Sequence, residues 1–237
     1  MRINKYIAQS GLCSRRKADE LIANGNVRVN AAVLREPGYD VQEGDRVEVN
    51  GHLIAAEAGS VYVLINKPLG MVTTVSDDKE RLTVMEVVKD IDARLFPVGR
   101  LDLDTEGLLL ITNDGTLAHE LLSPKKHVTK TYFAKVQGRV TREDVQRFSL
   151  GLDIKEEKPT LPATLVIEKS DDISEIRVSI TEGKYHQVKR MFEAVGKQVL
   201  FLKRLSMGTL QLDETLTPGS YRALTTEELS ALKNRTI

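Results

Sequence analysis

The sequence predicts an α+β protein with a small N-terminal domain, followed by a larger domain in which a mixed, largely antiparallel sheet is flanked by helices. Helical and strand-like apolar spacings are mixed along the chain. A segment rich in alanine at residues 51–60 interrupts the apolar pattern. Before it, most basic residues lie within the first 35 positions and most acidic residues follow at 36–48. We therefore expect domains at residues 1–50 and 61–237, joined by a linker at 51–60.

The first domain is predicted to begin with two short helices and to continue with short strands. Its apolar residues at helical spacing are Ile3, Tyr6 and Ile7, and then Ala18, Leu21 and Ile22. Ser14 is a suitable N-cap for the second helix, and Gly25 is placed to end it. Residues 27–29 and 45–49 have strand composition, and Asn50-Gly51 is a strong turn signal.

The second domain is predicted to open with an apolar strand at residues 62–66. A continuous apolar run at 108–111 indicates a buried strand. The other predicted elements are helices at 84–91 and 116–122 and alternating strands at 131–136, 163–167 and 176–180. The chain has no glycine-rich phosphate loop, so nucleotide hydrolysis and dinucleotide chemistry lack support.

The segment GRLDLDTEGL at residues 99–108 places charged residues directly before the apolar run. In an extended conformation its alternation would send all the charges to one face. The charged residues are Arg100, Asp102, Asp104 and Glu106. From spacing alone, the segment fits a solvated loop with a surface ion pair worth roughly 0–1 kcal/mol. It also fits the paired carboxylates of a glycosidase, with Asp102 and either Asp104 or Glu106 as the pair.

Composition limits the partners and the compartment. The chain has 237 residues with 34 basic and 34 acidic ones, so any affinity for nucleic acid has to come from local patches. Its single cysteine, Cys13, excludes an intramolecular disulfide, and the sequence has no secretory segment or long apolar span. We expect a cytoplasmic protein without membrane attachment. Four scattered histidines lack zinc-type spacing, and no metal is expected.

Three blocks of the second domain resemble the RNA pseudouridine synthases, in the branch that includes the ribosomal small-subunit enzyme. The blocks are GRLDLDTEGL at 99–108, Lys-Thr-Tyr at 130–132 and GKYHQVKRMF at 183–192. The resemblance implies that Asp102 is the single catalytic carboxylate and acts as the nucleophile. It also implies that Tyr132 stacks on the base to be isomerised.

The same resemblance assigns roles to basic residues around this carboxylate. Lys189 matches the basic residue that pairs with the catalytic aspartate, and such a pair would keep Asp102 ionised. Arg190 is its neighbour and a further candidate for substrate contact. Arg100 would help to open the RNA and occupy the space of the flipped nucleotide. Its alternative role is a structural ion pair with Asp104.

The first domain resembles the small RNA-binding domain named after ribosomal protein S-four. The matching stretches are residues 2–7, 14–18 and 25–30. In such domains the second helix and its basic start rest against structured RNA, which implies phosphate contacts that position the protein. The candidate contact residues are Arg2, Lys5, Arg15, Arg16 and Lys17. On charge alone, a solvated helix face is the alternative interpretation.

Together the resemblances imply an isomerase that converts a uridine of ribosomal RNA to pseudouridine. This reaction needs no redox change or external group donor, so no cofactor is expected. Tyr185-His186 before Gln187 is closer to the small-subunit enzyme, which favours 16S rRNA as the substrate. A uridine in 23S rRNA and a noncatalytic rRNA-binding assembly factor are the alternatives. The expected partner is ribosomal RNA or a partly assembled subunit, and the expected state is a monomer.

Overall fold

The computed structural model describes residues 1–55 and 59–234. They fall into two compact units, Met1–Ser60 and Val61–Ile237. Both units combine helices with a sheet, so the predicted α+β class is confirmed. None of the helices in the described ranges is long and apolar enough to cross a membrane.

The first unit packs two helices on a four-stranded antiparallel sheet. Its elements are α1 (Ile3–Gln9), α2 (Arg15–Ala23), β1 (Val27–Val29), β2 (Ala32–Leu34), β3 (Val47–Val49) and β4 (His52–Ile54). The strand order is β2-β1-β3-β4 among the described residues. The Ser14 side chain accepts a hydrogen bond from the Lys17 amide, as the predicted N-cap requires. Buried Ile7 and Ile22 join the two helices in one small core.

The first sheet extends further along the chain than the sequence predicts. Asn50 and Gly51 both have positive φ angles, 51° and 81°, which suit a two-residue hairpin between β3 and β4. β4 therefore occupies part of the segment 51–60 that was expected to be a linker. Residues 56–58 of that segment lie outside the described residues. β3 also begins later than expected, because the Asp45 carboxylate accepts the Gln42 amide in a preceding turn.

The second unit is built around one large sheet. Its strands are β5 (Tyr62–Lys67), β6 (Phe96–Pro97), β7 (Glu106–Thr112), β8 (Lys130–Gln137), β9 (Thr164–Lys169), β10 (Ile173–Ile180), β11 (Gln198–Met207), β12 (Leu210–Gln211) and β13 (Tyr221–Ala223). Its α-helices are α3 (Gly115–Leu122), α4 (Arg142–Leu150), α5 (Gln187–Ala194) and α6 (Thr226–Lys233). The order is β13-β5-β7-β11-β8-β10-β9, with β12 paired to β11 and β6 to β7.

The sheet is covered on both faces, which explains the continuous apolar run in β7. On one face, Leu109 and Ile111 share a buried cluster with Met191 of α5. On the other face, Leu108 and Leu110 pack with residues of α3 and α6. All pairings recorded for the described strands are antiparallel except that of β7 with β11, so the predicted largely antiparallel sheet is confirmed.

Several parts of the second unit differ from the sequence prediction, which placed no element over β11, β13 or α6. The expected helix at 84–91 is a short 3₁₀ helix, Val84–Val88, because three β-branched valines among its five residues disfavour an α-helix. The sequence analysis also missed α4, although its capping box of Thr141 and Asp144 is a readable start signal.

Gly107 allows β7 and β11 to approach each other closely. It has a φ of +104° and pairs with Arg204 in the parallel register. A Cβ atom at this position would lie 2.3 Å from the Arg204 carbonyl oxygen and 2.7 Å from its amide nitrogen. Both neighbours belong to the backbone and have no rotamer by which to move away. Gly107, the second glycine of the GRLDLDTEGL segment, is therefore required by the sheet.

We predict that Gly107→Ala lowers the free energy of unfolding by about 3 kcal/mol or more, because it combines a left-handed φ with a backbone clash. Urea denaturation followed by circular dichroism measures the change. Gly183→Ala is the matched control, since no atom lies within 4 Å of its added Cβ. It should change the same free energy by less than about 1 kcal/mol. Equal losses in both variants would contradict the packing argument.

Candidate active site

Asp102 lies in the loop that connects β6 to β7. The segment does not run extended as far as residue 106, because residues 103–104 form a turn. The Thr105 amide donates to the Asp102 carbonyl over 3.1 Å to close this turn. As a result Leu103 is exposed, whereas Leu101 and Thr105 are buried. The alternation of charged and uncharged residues therefore does not produce one polar face.

The loop is anchored by the segment that follows β5. The Thr73 hydroxyl donates to the Leu101 carbonyl over 2.7 Å and accepts from the Leu101 amide over 3.2 Å. The Gly70 amide donates to the Leu103 carbonyl over 2.9 Å. These bonds fix the backbone on both sides of Asp102. The residues that follow β5 thus support the loop from one side.

Lys189 of α5 connects the loop to the helix. Its ammonium nitrogen lies 3.0 Å from Asp102 Oδ2 and 2.5 Å from Asp104 Oδ1. Val188, Met191 and Phe192 are buried, which leaves Lys189 on a different side of α5, where its side chain is 16% exposed. At an effective dielectric near 20, an ion pair at 3 Å carries about 5 kcal/mol of Coulomb attraction before desolvation.

The contact between Lys189 and Asp104 shifts the pKa of both groups. Burial opposes ionisation of Asp104, but the hydrogen bond and the charge of Lys189 outweigh it, and the pKa of Asp104 is lowered. Burial likewise opposes the charge of Lys189. The hydrogen bonds that its ammonium donates to Asp104 and Asp102 outweigh that effect, and the pKa of Lys189 is raised. At neutral pH the cluster therefore contains a charged lysine and an ionised Asp104.

Lys67 ends β5 and is fully buried, and the sequence analysis assigned it no role. Its Nζ donates to two backbone carbonyls, one of which belongs to Thr105 at 2.9 Å. Burial lowers the pKa of Lys67 to about 8. Neighbouring carboxylates act in the opposite direction, and they are Asp102, Asp104 and Glu106. A lysine that ends an otherwise apolar strand was the readable signal for this position.

A row of paired residues crosses the sheet next to the loop. Lys67 pairs with Gly107, Gly107 with Arg204, and Arg204 with Tyr132. Neighbours in one register present their side chains on one face, and Tyr132 belongs to the core cluster that includes α5 residues. Tyr132 is 8% exposed. The register therefore places Tyr132 two strands away from the start of β7, on the face that α5 covers.

Arg204 is a second buried cation of this row that the sequence analysis missed. It is 2% exposed, and its Nε donates to the Leu108 carbonyl over 2.7 Å. Its Nη2 atom is buried and has no hydrogen-bond partner among the described residues. Arg204 thus satisfies a β7 carbonyl just beyond the positions where β7 and β11 pair. A single arginine in an apolar strand gives little sequence signal for this role.

Arg100 and Arg190 occupy different environments. Arg100 is exposed, and no ion pair with Asp104 is present in the described part of the chain, where Asp104 binds Lys189 instead. Arg190 lies 2.6 Å from Glu156 Oε1 and also donates to the carbonyls of Tyr185 and Ile154. Arg190 therefore organises the neighbouring loops, whereas Arg100 presents its charge to solvent.

His186 adds a contact to Asp102 that the sequence analysis did not assign. Its Nε2 lies 3.6 Å from Asp102 Oδ1, on the carboxylate oxygen that Lys189 does not hold. His186 is the N-cap residue of α5 and has a left-handed φ of 48°. Its position in the block GKYHQVKRMF, three residues before Lys189, was the available signal.

The basic candidates of the first unit lie mainly at the start of α2. Arg15, Arg16 and Lys17 are exposed and form its first turn, which contains no acidic residue. Arg15 donates to Asn4 over 3.3 Å, and Lys17 pairs with Glu20 over 2.7 Å. The other two candidates are Arg2, which is exposed, and Lys5, which is half-buried. In the described residues, no group of three or more histidine, cysteine or acidic side chains is arranged to hold a metal ion.

The fold and this site define an RNA-modifying enzyme, and the comparisons with known proteins identify its family. Residues 61–194, more than half of the chain, match the family described as RNA pseudouridylate synthase, and residues 1–47 match the S4 domain. The chain belongs to the RNA pseudouridine synthase family. It is therefore an isomerase with an S4 domain at its N-terminal end.

Relatives from two groups of synthases match nearly the whole chain. Ribosomal large subunit pseudouridine synthase B of Bacillus subtilis is 43% identical, with 98% of this chain and 95% of the relative covered. Ribosomal small subunit pseudouridine synthase A of Salmonella typhimurium is 37% identical, with 98% and 100% covered. A solved structure titled "Crystal structure of pseudouridylate synthase" has a TM-score of 0.70 and 34% identity, and 98% of this chain and 99% of that chain are covered.

We predict that Lys67→Met reduces the rise in stability between pH 8 and pH 10.5. The native pKa of Lys67 is about 8, against an ordinary value of 10.5, so the unfolded chain binds more protons in this range. Stability therefore increases with pH there, by roughly 3 kcal/mol from this group. Urea denaturation at several pH values measures the slope for both proteins. Exposed Lys125→Met is the matched control, and it should keep the wild-type slope; an unchanged slope in Lys67→Met would contradict the prediction.

Proposed function

We propose that this protein converts a uridine of ribosomal RNA to pseudouridine, with Asp102 as its catalytic carboxylate. The contact between Lys189 and Asp102 carries the proposal, because it joins residues 87 positions apart through a 3.0 Å ion pair. The names of two relatives support ribosomal RNA as the substrate class, since one is a ribosomal large subunit synthase and the other a ribosomal small subunit synthase.

The proposed chemistry requires one ionised carboxylate. The C1′–N1 bond of the uridine breaks, the uracil turns in the site, and its C5 bonds to C1′; C5 then loses its proton and N1 gains one, so the atoms balance. Asp102 acts either as a nucleophile on the ribose or base, or as the base that removes a ribose proton. Lys189 lies 3.0 Å from Asp102 Oδ2 and would hold the carboxylate in place for either route. Tyr132 offers its ring to the uracil, and an aromatic ring can hold a flipped base by its π-face.

The electrostatics argue against a glycosidase in which Asp104 is the acid. Such an enzyme needs a carboxylic acid whose pKa is raised so that it can protonate the leaving group. The pKa of Asp104 is instead lowered by Lys189, and its side chain is 72% exposed. Asp104 is therefore a second anion that supports the charge of Lys189.

The first unit supports binding to structured RNA. Cations in the first turn of a helix lie at the positive end of its dipole, so they do not stabilise α2 there. The exposed side chains of Arg15, Arg16 and Lys17 are instead suited to phosphate contacts, which position a protein without reading sequence. Arg100 is the exposed cation of the second unit that we assign to the opened RNA. The proposed partner is ribosomal RNA or a partly assembled subunit in the cytoplasm, and the protein acts as a monomer.

The two groups of relatives leave two candidate substrates. Tyr185-His186 before Gln187 favours 16S rRNA. The 43% identity to a large-subunit enzyme, against 37% to a small-subunit enzyme, favours 23S rRNA. We retain 16S rRNA as the prediction from the active-site block and 23S rRNA as the second candidate.

Pseudouridine mapping in ribosomal RNA, from cells with and without the gene, identifies the substrate. We predict that one pseudouridine in 16S rRNA disappears without the gene and returns when the wild-type gene is restored. The loss of a 23S rRNA site instead would overturn only the choice of subunit. If no ribosomal site changed, the proposed substrate class would be wrong.

We predict that Asp102→Asn abolishes pseudouridine formation while folding and RNA binding stay near wild type, because the amide cannot act as a nucleophile or base. Activity is measured by the release of tritium from RNA labelled at uracil C5, since the new C–C bond replaces that hydrogen. Asp104→Asn is the matched control and should keep measurable activity. Full activity in Asp102→Asn would remove its catalytic role, and equal loss in both variants would support a carboxylate pair.

A further inference from the structure

Tyr185 presents an open aromatic face beside the site. Its ring stacks on that of His186, with 3.8 Å between ring centroids and 18° between planes. Nevertheless, 71% of Tyr185 is exposed to solvent. One face of the ring is therefore covered by the histidine, and the exposure belongs to the other face and the edge. A large exposed ring gains nothing from hydrophobic burial in this position.

The stacked pair places this face close to the catalytic carboxylate. His186 Nε2 lies 3.6 Å from Asp102 Oδ1, so the histidine ring contacts the carboxylate at its edge and Tyr185 at its face. Tyr185 therefore stacks directly on His186, the residue whose ring lies next to Asp102. Tyr132, by contrast, is 8% exposed and lies within the core face of the sheet. The two tyrosines therefore offer aromatic faces at different depths.

The backbone that carries Tyr185 is fixed before any ligand binds. Arg190 Nη1 donates to the Tyr185 carbonyl over 3.1 Å. The Gln187 side-chain oxygen accepts the Lys184 amide over 2.9 Å, and Lys184 Nζ donates to the carbonyl of Lys158. His186 keeps a left-handed φ of 48° in this setting, which is uncommon for a residue other than glycine. A fixed platform loses little conformational entropy when it binds a ligand.

We propose that Tyr185 stacks on the nucleobase next to the target uridine. This inference rests on the proposed function and adds a second aromatic contact for its RNA substrate. When the uridine leaves the stack, its neighbour loses one stacking partner, and the open ring face can replace that partner. Every base has a π-face, so this contact stabilises the opened RNA without selecting a sequence.

The test compares Tyr185→Ala, Tyr185→Leu and Tyr185→Phe in the full chain by tritium release from C5-labelled ribosomal RNA. We expect Tyr185→Ala and Tyr185→Leu to raise KM about tenfold and to leave kcat unchanged, because neither substituted side chain has a planar face. Tyr185→Phe keeps the ring and should change KM by less than about twofold. Leu150→Ala removes another exposed apolar side chain, on α4, and should behave as wild type.

A binding measurement separates this inference from the proposed function. The same Tyr185 substitutions are made in the Asp102→Asn background, and the dissociation constant for ribosomal RNA is measured by filter binding without turnover. Tyr185→Ala should weaken binding about tenfold, whereas Tyr185→Phe should not. Equal dissociation constants for Ala, Phe and the parent would overturn the stacking role. A wild-type protein that binds RNA but releases no tritium would count against the proposed function, and this comparison would still decide the inference.

Discussion

The second unit depends on the close parallel approach of β7 and β11 at Gly107. This pairing connects β5 and β7 to the antiparallel strands β11, β8, β10 and β9. It therefore puts the Asp102 loop, which leads into β7, and Tyr132 of β8 on one continuous sheet. The distance between the two backbones leaves no space for a side chain at residue 107. A backbone constraint thus sets the geometry on which the site is built.

Charge is the second constraint, because the site gathers two partly or fully buried lysines and several carboxylates. Lys189 touches Asp102 and Asp104 directly, whereas Lys67 is held by backbone carbonyls. Burial of each cation is unfavourable; the surrounding anions offset part of that effect for Lys67 and outweigh it for Lys189. Burial alone would oppose the charge of Asp104, and Lys189 reverses that effect.

The environment of Asp102 is asymmetric, and this gives its two oxygens different neighbours. Lys189 holds Oδ2, and the His186 ring lies near Oδ1. The Asp102 side chain is 30% exposed although both of its oxygens have a basic neighbour. The exposed ring of Tyr185 extends this environment outward from the loop before α5.

The sequence by itself determined the α+β class, the N-cap and apolar face of α2, the buried strand β7, and the blocks that contain Asp102, Tyr132 and Lys189. These features depend on local spacing or on residues that stand together in the chain. The resemblance had paired Lys189 with Asp102, but only the tertiary structure decided that Lys189 also reaches Asp104, that Arg190 binds Glu156, and that Lys67 is buried. Those outcomes depend on contacts between residues far apart in sequence, and a local pattern carries no information about which distant group a charged side chain will meet.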